Sequence, residues 1–308
     1  MFDILFYTSL TVFVLGLIYK VIRWFTKNIG ILGKHINTFQ RVLSAVTGII
    51  GVICSPKILT LLKAFLLDVL LQRRILKEDL VRWLAHMLIF YGFMLLLLMH
   101  ALQSVVSEAL FSDYYPTINP FFFLRDFFGA MVLAGVILAA LRRYIFRPRR
   151  LRTNRMDHYA IAIVAGIMLS GIALEGLKIA SYSEFERMVE DYAGLDDEEE
   201  IQALEAVWVR HYGTVSPNIE EPFDEDLIEA GREVHMENCM DCHASSKWAF
   251  NGYATAKFLK PVALWLDQIS GTTVLWYIHF IACFIGLAYL PFSKMFHLIA
   301  TPFTLMAG

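Results

Sequence analysis

Five stretches of the chain are apolar over about 20 residues, the length that an α-helix needs to cross the hydrocarbon core of a bilayer. No small-residue cleavage site follows the first of them, so we interpret it as an uncleaved anchor rather than a removed signal peptide. We expect the last helix to continue to Ile299. The pattern predicts an all-α membrane protein with spans at Ile4–Trp24, Trp83–Val106, Pro120–Leu141, Tyr159–Ala180 and Thr273–Leu290.

The stretch Arg41–Leu71 is also apolar, but polar residues and a proline interrupt it. Pro56, Lys63 and Asp68 all fall inside it. We interpret it as amphipathic helices that lie on the membrane face. A sixth span is the alternative.

The distribution of charge predicts which side of the membrane each connection occupies. The chain is 57% hydrophobic, its mean hydropathy is +0.54 and its net charge is only −2. Five spans place the Lys- and Arg-rich segments 20–82 and 142–155 on one side, whereas Ser181–Ser270 contains few such residues. The positive-inside rule makes the basic side cytoplasmic. The N-terminus and Ser181–Ser270 then lie on the periplasmic side of the cytoplasmic (inner) membrane, and the C-terminus is cytoplasmic.

A C-x-x-C-H motif stands in the periplasmic segment. Cys239, Cys242 and His243 form it, and this spacing is the attachment signature of a c-type haem. The two thiols would form thioethers to the porphyrin and the histidine would bind the iron. A chance match or half of a zinc site is the alternative, but only Cys54 and Cys283 remain as further thiols, and both lie in apolar segments. Haem c is attached outside the cytoplasm, in agreement with the charge distribution.

The second axial ligand of this haem is left open by the sequence. His211 stands apart from the motif and is our preferred sixth ligand. Met188, Met236 and His235 are the other candidates. A five-coordinate iron is also compatible with the sequence.

Four histidines fall in two of the predicted spans. His86 and His100 are 14 residues apart, which places them on one helix face about 21 Å apart. His279 and His297 are 18 residues apart, or five turns and about 27 Å. Ionisable groups inside a membrane are costly and usually functional. Because the two helices run in opposite directions, we predict that His100 and His279 ligate an outer haem b and that His86 and His297 ligate an inner one. Four unrelated polar residues are the alternative, and we expect His35 and His158 to be surface residues.

Charged side chains at the outer ends of spans three and four suggest a quinone site. Arg125 and Asp126 begin span three, and Glu175 and Lys178 end span four. Quinol oxidation releases protons, which a carboxylate such as that of Glu175 could accept. Arg125 could instead neutralise a haem propionate, and all four could be interfacial charges without a redox role.

This histidine pattern, together with the lead-in segments Leu61–Arg74 and Arg82–His86, resembles a family of membrane b-type cytochromes. The family includes the gamma subunit of respiratory nitrate reductase, the membrane subunit of heterodisulfide reductase and related cytochromes of sulfate-reducer complexes. The resemblance covers about residues 1–180 and 271–308 and is stronger to the heterodisulfide reductase branch. It implies quinol or quinone chemistry, with menaquinone as a candidate, and a cytoplasmic iron–sulfur partner. The chain departs from the family pattern at Ser181–Ser270.

The sequence thus predicts five transmembrane helices in a di-haem b bundle, with a small α-helical extracytoplasmic haem c insert between helices four and five. We divide it into residues 1–180, which include the amphipathic segment 38–82, the acidic insert 181–270 and the last span with the C-terminus, 271–308. Most of the 29 Asp and Glu residues lie in the insert, as a solvated face or as a docking surface for a basic periplasmic multihaem cytochrome c. Nothing indicates a nucleic-acid partner.

The expected function is electron transfer in an anaerobic respiratory complex, between the quinone pool, a periplasmic cytochrome and a cytoplasmic iron–sulfur subunit. The chain would act as part of a quinol or quinone oxidoreductase. Two alternatives remain, namely an electron conduit or anchor with quinone bound elsewhere, and a haem-based transmembrane redox sensor.

Overall fold

The computed structural model describes residues 1–27, 37–146 and 153–307, and this part of the chain contains helices and no strand. Lys34 and the arginines between 147 and 152, which entered the charge argument, lie outside the described residues, and so does His35, which we expected to be a surface residue. The helices before the insert are α1 (Phe2–Thr26), α2 (Thr38–Ile53), α3 (Lys57–Leu70), α4 (Arg73–Glu78), α5 (Leu80–Ala101), α6 (Phe121–Phe146) and α7 (Arg155–Ala180). The insert contains α8 (Tyr182–Met188), α9 (Glu198–Val207), α10 (Glu225–Asn238), α11 (Phe250–Leu259) and α12 (Ala263–Gln268), and α13 (Gly271–Tyr289) and α14 (His297–Ala307) follow it.

Five of these helices, α1, α5, α6, α7 and α13 with its extension to Phe292, are long and apolar enough to cross a membrane. The five predicted spans are therefore confirmed as helices. The α2–α3 pair is bent by 97° and together is long enough for one further crossing. Surface helices and a sixth span both remain compatible with this geometry.

The prediction that the last span continues to Ile299 is wrong. α13 ends at Tyr289, and two 3-10 turns, Leu290–Phe292 and Lys294–Phe296, separate it from α14. Pro291 in the first turn has no N–H to donate to a continuing helix. The argument that an unbroken helix places two histidines on one face over 18 residues therefore fails for the second of them, His297.

Contacts with α1 fix the break after α13. A Cβ on Gly16 would come within 2.8 Å of the Phe292 ring and 2.9 Å of Pro291, so only glycine allows this approach. Trp24 lies with its ring centroid 5.7 Å from that of Phe296. α14 packs on α3. The start of α14, where His297 stands, is therefore held by tertiary packing rather than by helix continuity.

The described chain forms two compact units. The first contains Met1–Met87, Ala139–Val164 and Ile281–Gly308, and the second contains Leu88–Leu138 and Ala165–Phe280. The insert falls within the second unit. This division follows packing, whereas the sequence-based division at residues 180 and 270 follows hydropathy.

Within the second unit, the insert has its own apolar core. α9 and α10 cross so closely at Gly231 that a Cβ there would lie 2.0 Å from the Ala203 carbonyl oxygen. Leu204 and Ile228 are fully buried on either side of this crossing. Cys239 packs in the cluster that contains Leu204 and Phe185. The C-x-x-C-H motif therefore begins at a buried cysteine in this core, whereas its second cysteine, Cys242, is only partly buried.

Candidate functional site

The inner pair of histidines lies within the first unit. The ring centroids of His86 and His297 are 6.0 Å apart and their planes are inclined by 60°. α5 carries the first histidine, and the second begins α14 after the Pro291 break. The structure thus brings together the two residues predicted for the inner site, although it does so by a different route from the one expected.

The outer pair lies within the second unit. The ring centroids of His100 and His279 are 6.3 Å apart, with an interplanar angle of 42°. A Cβ on Gly171 would lie 3.0 Å from Cε1 and 3.3 Å from Nδ1 of His279. α7 therefore makes room for this ring by having no side chain at that position.

Both spacings suit two imidazoles on opposite faces of one iron. Metal–nitrogen bonds of about 2.0–2.1 Å, with each ring centre roughly 1.1 Å behind its nitrogen, would separate the centroids by about 6.3 Å. Because the porphyrin itself binds the iron, a haem would need at most two ligands from the protein. In the ranges that the structure describes, no three His, Cys, Asp or Glu side chains are grouped to hold a bare metal ion. The residues present therefore fit a haem better than a lone metal ion.

Hydrogen bonds orient two of the four imidazoles for ligation. Nδ1 of His279 lies 3.1 Å from the Ile167 carbonyl oxygen, and Nδ1 of His297 lies 2.7 Å from the Lys294 carbonyl oxygen. A carbonyl only accepts, so each Nδ1–H donates and the lone pair is on Nε2. This is the usual arrangement of a metal-binding histidine. Nδ1 of His86 is buried, and no hydrogen-bond partner for it lies among the described residues.

His100 differs from the other three because a guanidinium faces it. Nη2 of Arg125 lies 2.7 Å from its Nδ1, and Nη1 donates to the Pro116 carbonyl at 3.2 Å. A guanidinium only donates, so Nδ1 of His100 accepts and the neutral ring carries its proton on Nε2. Ligation through Nε2 would require Arg125 to release Nδ1. The residues fit a haem at this site on the condition that the guanidinium moves or that His100 loses its ring proton.

Asp126, next to Arg125, connects α6 to the insert. Its carboxylate accepts hydrogen bonds from the Asn251 backbone N–H and side-chain amide, both at 3.0 Å, and from the Gly252 N–H at 3.3 Å. These N–H groups belong to the first turn of α11, where a helix has unpaired donors and a positive partial charge. The carboxylate therefore caps α11 from a membrane helix.

The carboxyl group of Glu175 meets this cap. Both this carboxyl group and that of Asp126 lie against Gly252, where a Cβ would be 2.8 Å from Cγ of Glu175. Lys178 is exposed one turn further along α7. Of the predicted quinone residues, Arg125 and Glu175 thus belong to one polar cluster, whereas Lys178 is on the surface.

Aromatic side chains surround the C-x-x-C-H motif. The Trp208 ring lies 5.5 Å from that of His243 and is stacked on Tyr212 at 4.6 Å. The Tyr212 hydroxyl is 2.8 Å from Nε2 of His235.

Burial raises the pKa of the Cys239 thiol to about 11, with a further contribution from Cys242. A thiol that stays protonated is less reactive as a nucleophile.

A cavity of about 330 Å³ adjoins this aromatic group. His211 and His235 both line it, together with Arg232 and Lys247. Nε2 of His211 is buried and has no hydrogen-bond partner in the described part of the chain. Burial, followed by the positive charge of Arg232, lowers its pKa and so favours the neutral, ligand-competent ring.

The other candidates for the sixth ligand are placed differently. His235 is buried and bonded to Tyr212, Met188 packs against the core that contains Cys239, and Met236 is exposed. His211 therefore stays our preferred ligand, as an untested prediction.

Sequence reasoning missed several residues of these sites. Gly171 and Trp208 carry no motif, and the role of Asp126 as a cap depends on a helix 125 residues away. The one available signal was the neighbouring pair Arg125 and Asp126 at the start of an apolar helix, where charges are rare.

Comparison with known proteins gives partial matches. No family model matches the chain, and no solved structure matches it significantly. The chain is 30% identical over 132 residues, 41% of its length, to the E subunit of dihydromethanophenazine:CoB–CoM heterodisulfide reductase from Methanosarcina thermophila, and 32% identical over 126 residues to the same protein from Methanosarcina barkeri. It is 23% identical over 235 residues, 75% of its length, to an EtfAB:quinone oxidoreductase of Syntrophomonas wolfei. The chain spans about half the length of the two heterodisulfide reductase relatives and a quarter of the third.

These similarities show a relationship to subunits of redox complexes. They support the heterodisulfide reductase side of the expected resemblance. They do not establish a haem c insert, and the interpretation of the C-x-x-C-H motif depends on the chain's own residues.

Proposed function

We propose that this protein is the haem-bearing membrane subunit of an anaerobic respiratory complex. It exchanges electrons between the quinone pool, a periplasmic cytochrome c and a cytoplasmic iron–sulfur subunit through two haems b and one covalently bound haem c. The observation that carries the proposal is the pair of histidine couples, His86 with His297 and His100 with His279, at 6.0 and 6.3 Å. The haems supply the one-electron chemistry. The protein contributes axial ligands, burial and local charge, which tune the potentials.

Quinone chemistry at the outer site is supported by the cluster of Arg125, Asp126 and Glu175. Oxidation of a quinol to a quinone releases two electrons and two protons. The two carboxyl groups lie together against Gly252 with a guanidinium nearby, so they can accept these protons and pass them on. (Mena)quinol is therefore the proposed substrate class.

The partners are proposed from charge and from the relatives. The heterodisulfide reductase relative is by its name one subunit of a larger enzyme, which supports a multi-subunit complex here. The first turn of α9 is acidic at Glu198, Glu199 and Glu200, which are all exposed. Such a surface attracts a basic cytochrome electrostatically.

A haem count tests the proposal. The purified protein is converted to pyridine haemochromes, and the ratio of haem b to haem c is read from the spectra. A ratio near 2:1 is expected. His297→Ala and His279→Ala should each lower the ratio towards 1:1, and His158→Ala, a surface histidine bonded to Tyr144, should leave it unchanged. A wild-type ratio near 1:1 would mean that one couple is structural.

A second candidate is an electron conduit whose quinone site lies in another subunit. The observation in its favour is that Asp126 and Glu175 are packed under the first turn of α11. Reduction of the haems by a short-chain menaquinol analogue, measured with the isolated chain and with the complex, separates the two. Reduction of the isolated chain supports the first proposal, and reduction only in the complex supports the conduit.

A further inference from the structure

The turn before α6 connects the two predicted iron sites on the periplasmic side. Thr117 donates from Oγ1 to the Cys242 carbonyl, and its own carbonyl accepts from the Ala244 N–H at 2.9 Å. These two bonds fall on either side of His243. The turn therefore holds the backbone of the proposed iron ligand from both directions.

The same turn reaches the outer histidine couple. The Pro116 carbonyl, one residue earlier, accepts from Nη1 of Arg125 at 3.2 Å, and Nη2 of that guanidinium lies 2.7 Å from Nδ1 of His100. The Tyr114 hydroxyl donates to the Met99 carbonyl at 2.6 Å, beside His100. The bonds from Tyr114 and Thr117 thus attach one short segment to both iron-ligand regions, and neither bond depends on the contact between Arg125 and His100.

The insert is also attached to the membrane helices at other points. Asp126 on α6 caps α11, and the Ala180 carbonyl at the end of α7 accepts from the Val215 N–H at 3.0 Å. Because these attachments are independent of the turn, loss of one bond in the turn leaves the insert folded. Variants of the turn can therefore be compared in a folded protein, where a change reports on the local position of the motif.

We propose that the segment Tyr114–Thr117 is a positioning bridge that couples the haem c motif to the outer haem b site within one chain. The inference rests on the proposed function and adds to it a route for electrons between two haem sites of the same chain. In each transfer one electron leaves the reduced outer b site and arrives at the oxidised c site, with no bond made or broken and no proton moved. The bridge keeps the two sites at a fixed separation, so electron exchange does not wait for the insert to move.

A stopped-flow experiment tests the bridge. The fully reduced protein is mixed with ferricyanide, a water-soluble one-electron oxidant that takes electrons at the exposed insert and becomes ferrocyanide. Haem c and haem b are followed at their separate α-bands. In the natural protein, haem b should be oxidised at the same rate as haem c.

Two substitutions release the bridge at opposite ends. Thr117→Val removes the bond to Cys242, and Tyr114→Phe removes the bond to Met99 without approaching the haem c motif. In each, haem c should be oxidised at the natural rate while haem b is oxidised several-fold more slowly than haem c. Thr117→Ser, which keeps the hydroxyl, and Thr255→Val, whose hydroxyl bonds only within α11 to Asn251, should show no lag.

The outcomes separate the bridge from the proposed function. Haem content and spectra are recorded for every variant, and absence of haem b or haem c from the natural protein overturns the proposed function itself. If the haems are present and haem b and haem c are oxidised at equal rates in both Thr117→Val and Tyr114→Phe, the proposed bridge is wrong. The proposed function is unaffected by that result. If Thr117→Val no longer contains haem c, the oxidation rates of haem b and haem c in Tyr114→Phe decide whether the bridge is correct.

Discussion

Arg125 places a positive charge directly against the outer histidine couple through its contact with His100. A positive charge beside a haem favours the ferrous state, which carries one charge less than the ferric state. Arg125→Gln should therefore lower the midpoint potential of one of the two haems b. We expect a shift of some tens of millivolts, since about 59 mV corresponds to a tenfold change in a one-electron equilibrium.

Redox titration followed at the haem b α-band measures this shift. Lys178→Gln removes a charge of the same sign from an exposed position, where water and salt screen it, and should give a smaller shift. Equal haem b midpoint potentials in Arg125→Gln and the natural protein would show that the guanidinium does not affect the haem.

Gly171 determines whether the His279 ring fits. A valine there would place its Cβ 3.0 Å from Cε1, with two methyl groups beyond it, and the β-branched side chain has little rotamer freedom to withdraw. Gly171→Val should lose about half of the haem b, with the inner haem retained. The matched control is Gly166→Val on the same helix, because nothing lies within 4 Å of a Cβ at that position. Retention of both haems b in Gly171→Val would contradict the placement of the outer site.

At the scale of elements, the cap from Asp126 determines how firmly α11 is attached. Asp126→Ala leaves the N–H groups of Asn251 and Gly252 without their acceptor, at a cost of about 1–3 kcal/mol for a buried group. Hydrogen exchange should become faster at these two amides and along the first turn of α11. Asp197→Ala removes a cap from α9 instead, where the carboxylate accepts from the Glu199 N–H at 2.9 Å, and should leave α11 exchange unchanged.

A buried carboxyl group makes the stability of the insert depend on pH. Burial raises the pKa of Glu205 above its ordinary value of 4.5, although hydrogen bonds from Ser216 and Asn218 oppose the shift. Because the folded-state pKa is above the unfolded one, its contribution to stability is complete below the ordinary value of 4.5 and is lost as the pH rises through the raised pKa. The insert should therefore lose some stability as the pH rises above 4.5.

Glu205→Gln keeps an oxygen acceptor for Ser216 and removes the titration. Its thermal midpoint, followed by tryptophan fluorescence, should change less over this pH range than that of the natural protein. Glu200→Gln on the same helix alters an exposed side chain and should reproduce the natural pH profile. A Glu205→Gln profile parallel to the natural one would assign the pH dependence to other groups.

At the scale of the whole molecule, the topology is the open prediction. Five spans place Asp3 and the insert on the periplasmic side and Lys63 on the cytoplasmic side. In a chain whose native thiols at Cys54 and Cys283 are replaced, a membrane-impermeant maleimide applied to intact cells should label Asp3→Cys and not Lys63→Cys. If the bent α2–α3 pair is a sixth crossing, Asp3→Cys is protected while an insert cysteine at Tyr192, which is exposed, is still labelled.

The sequence by itself determined the helical class, the number of long apolar helices and which four membrane histidines lie in pairs, and it contains the C-x-x-C-H motif. Hydropathy over 20 residues and a covalent motif are local properties, and the cost of burying an ionisable side chain distinguishes the membrane histidines wherever they fall. α5 continues through both His86 and His100, although its last turn, Leu97–Ala101, is a π-helix that departs from the 3.6-residue period.

Tertiary structure alone decided the rest. Pro291 ends the helix that was expected to carry His297, and the approach of Phe292 to Gly16 fixes where the chain resumes. The bridge at Thr117 and the cap at Asp126 join residues 125 positions apart along the chain. Such bonds depend on how the chain closes in space rather than on any repeating interval, so no periodicity in the sequence predicts them.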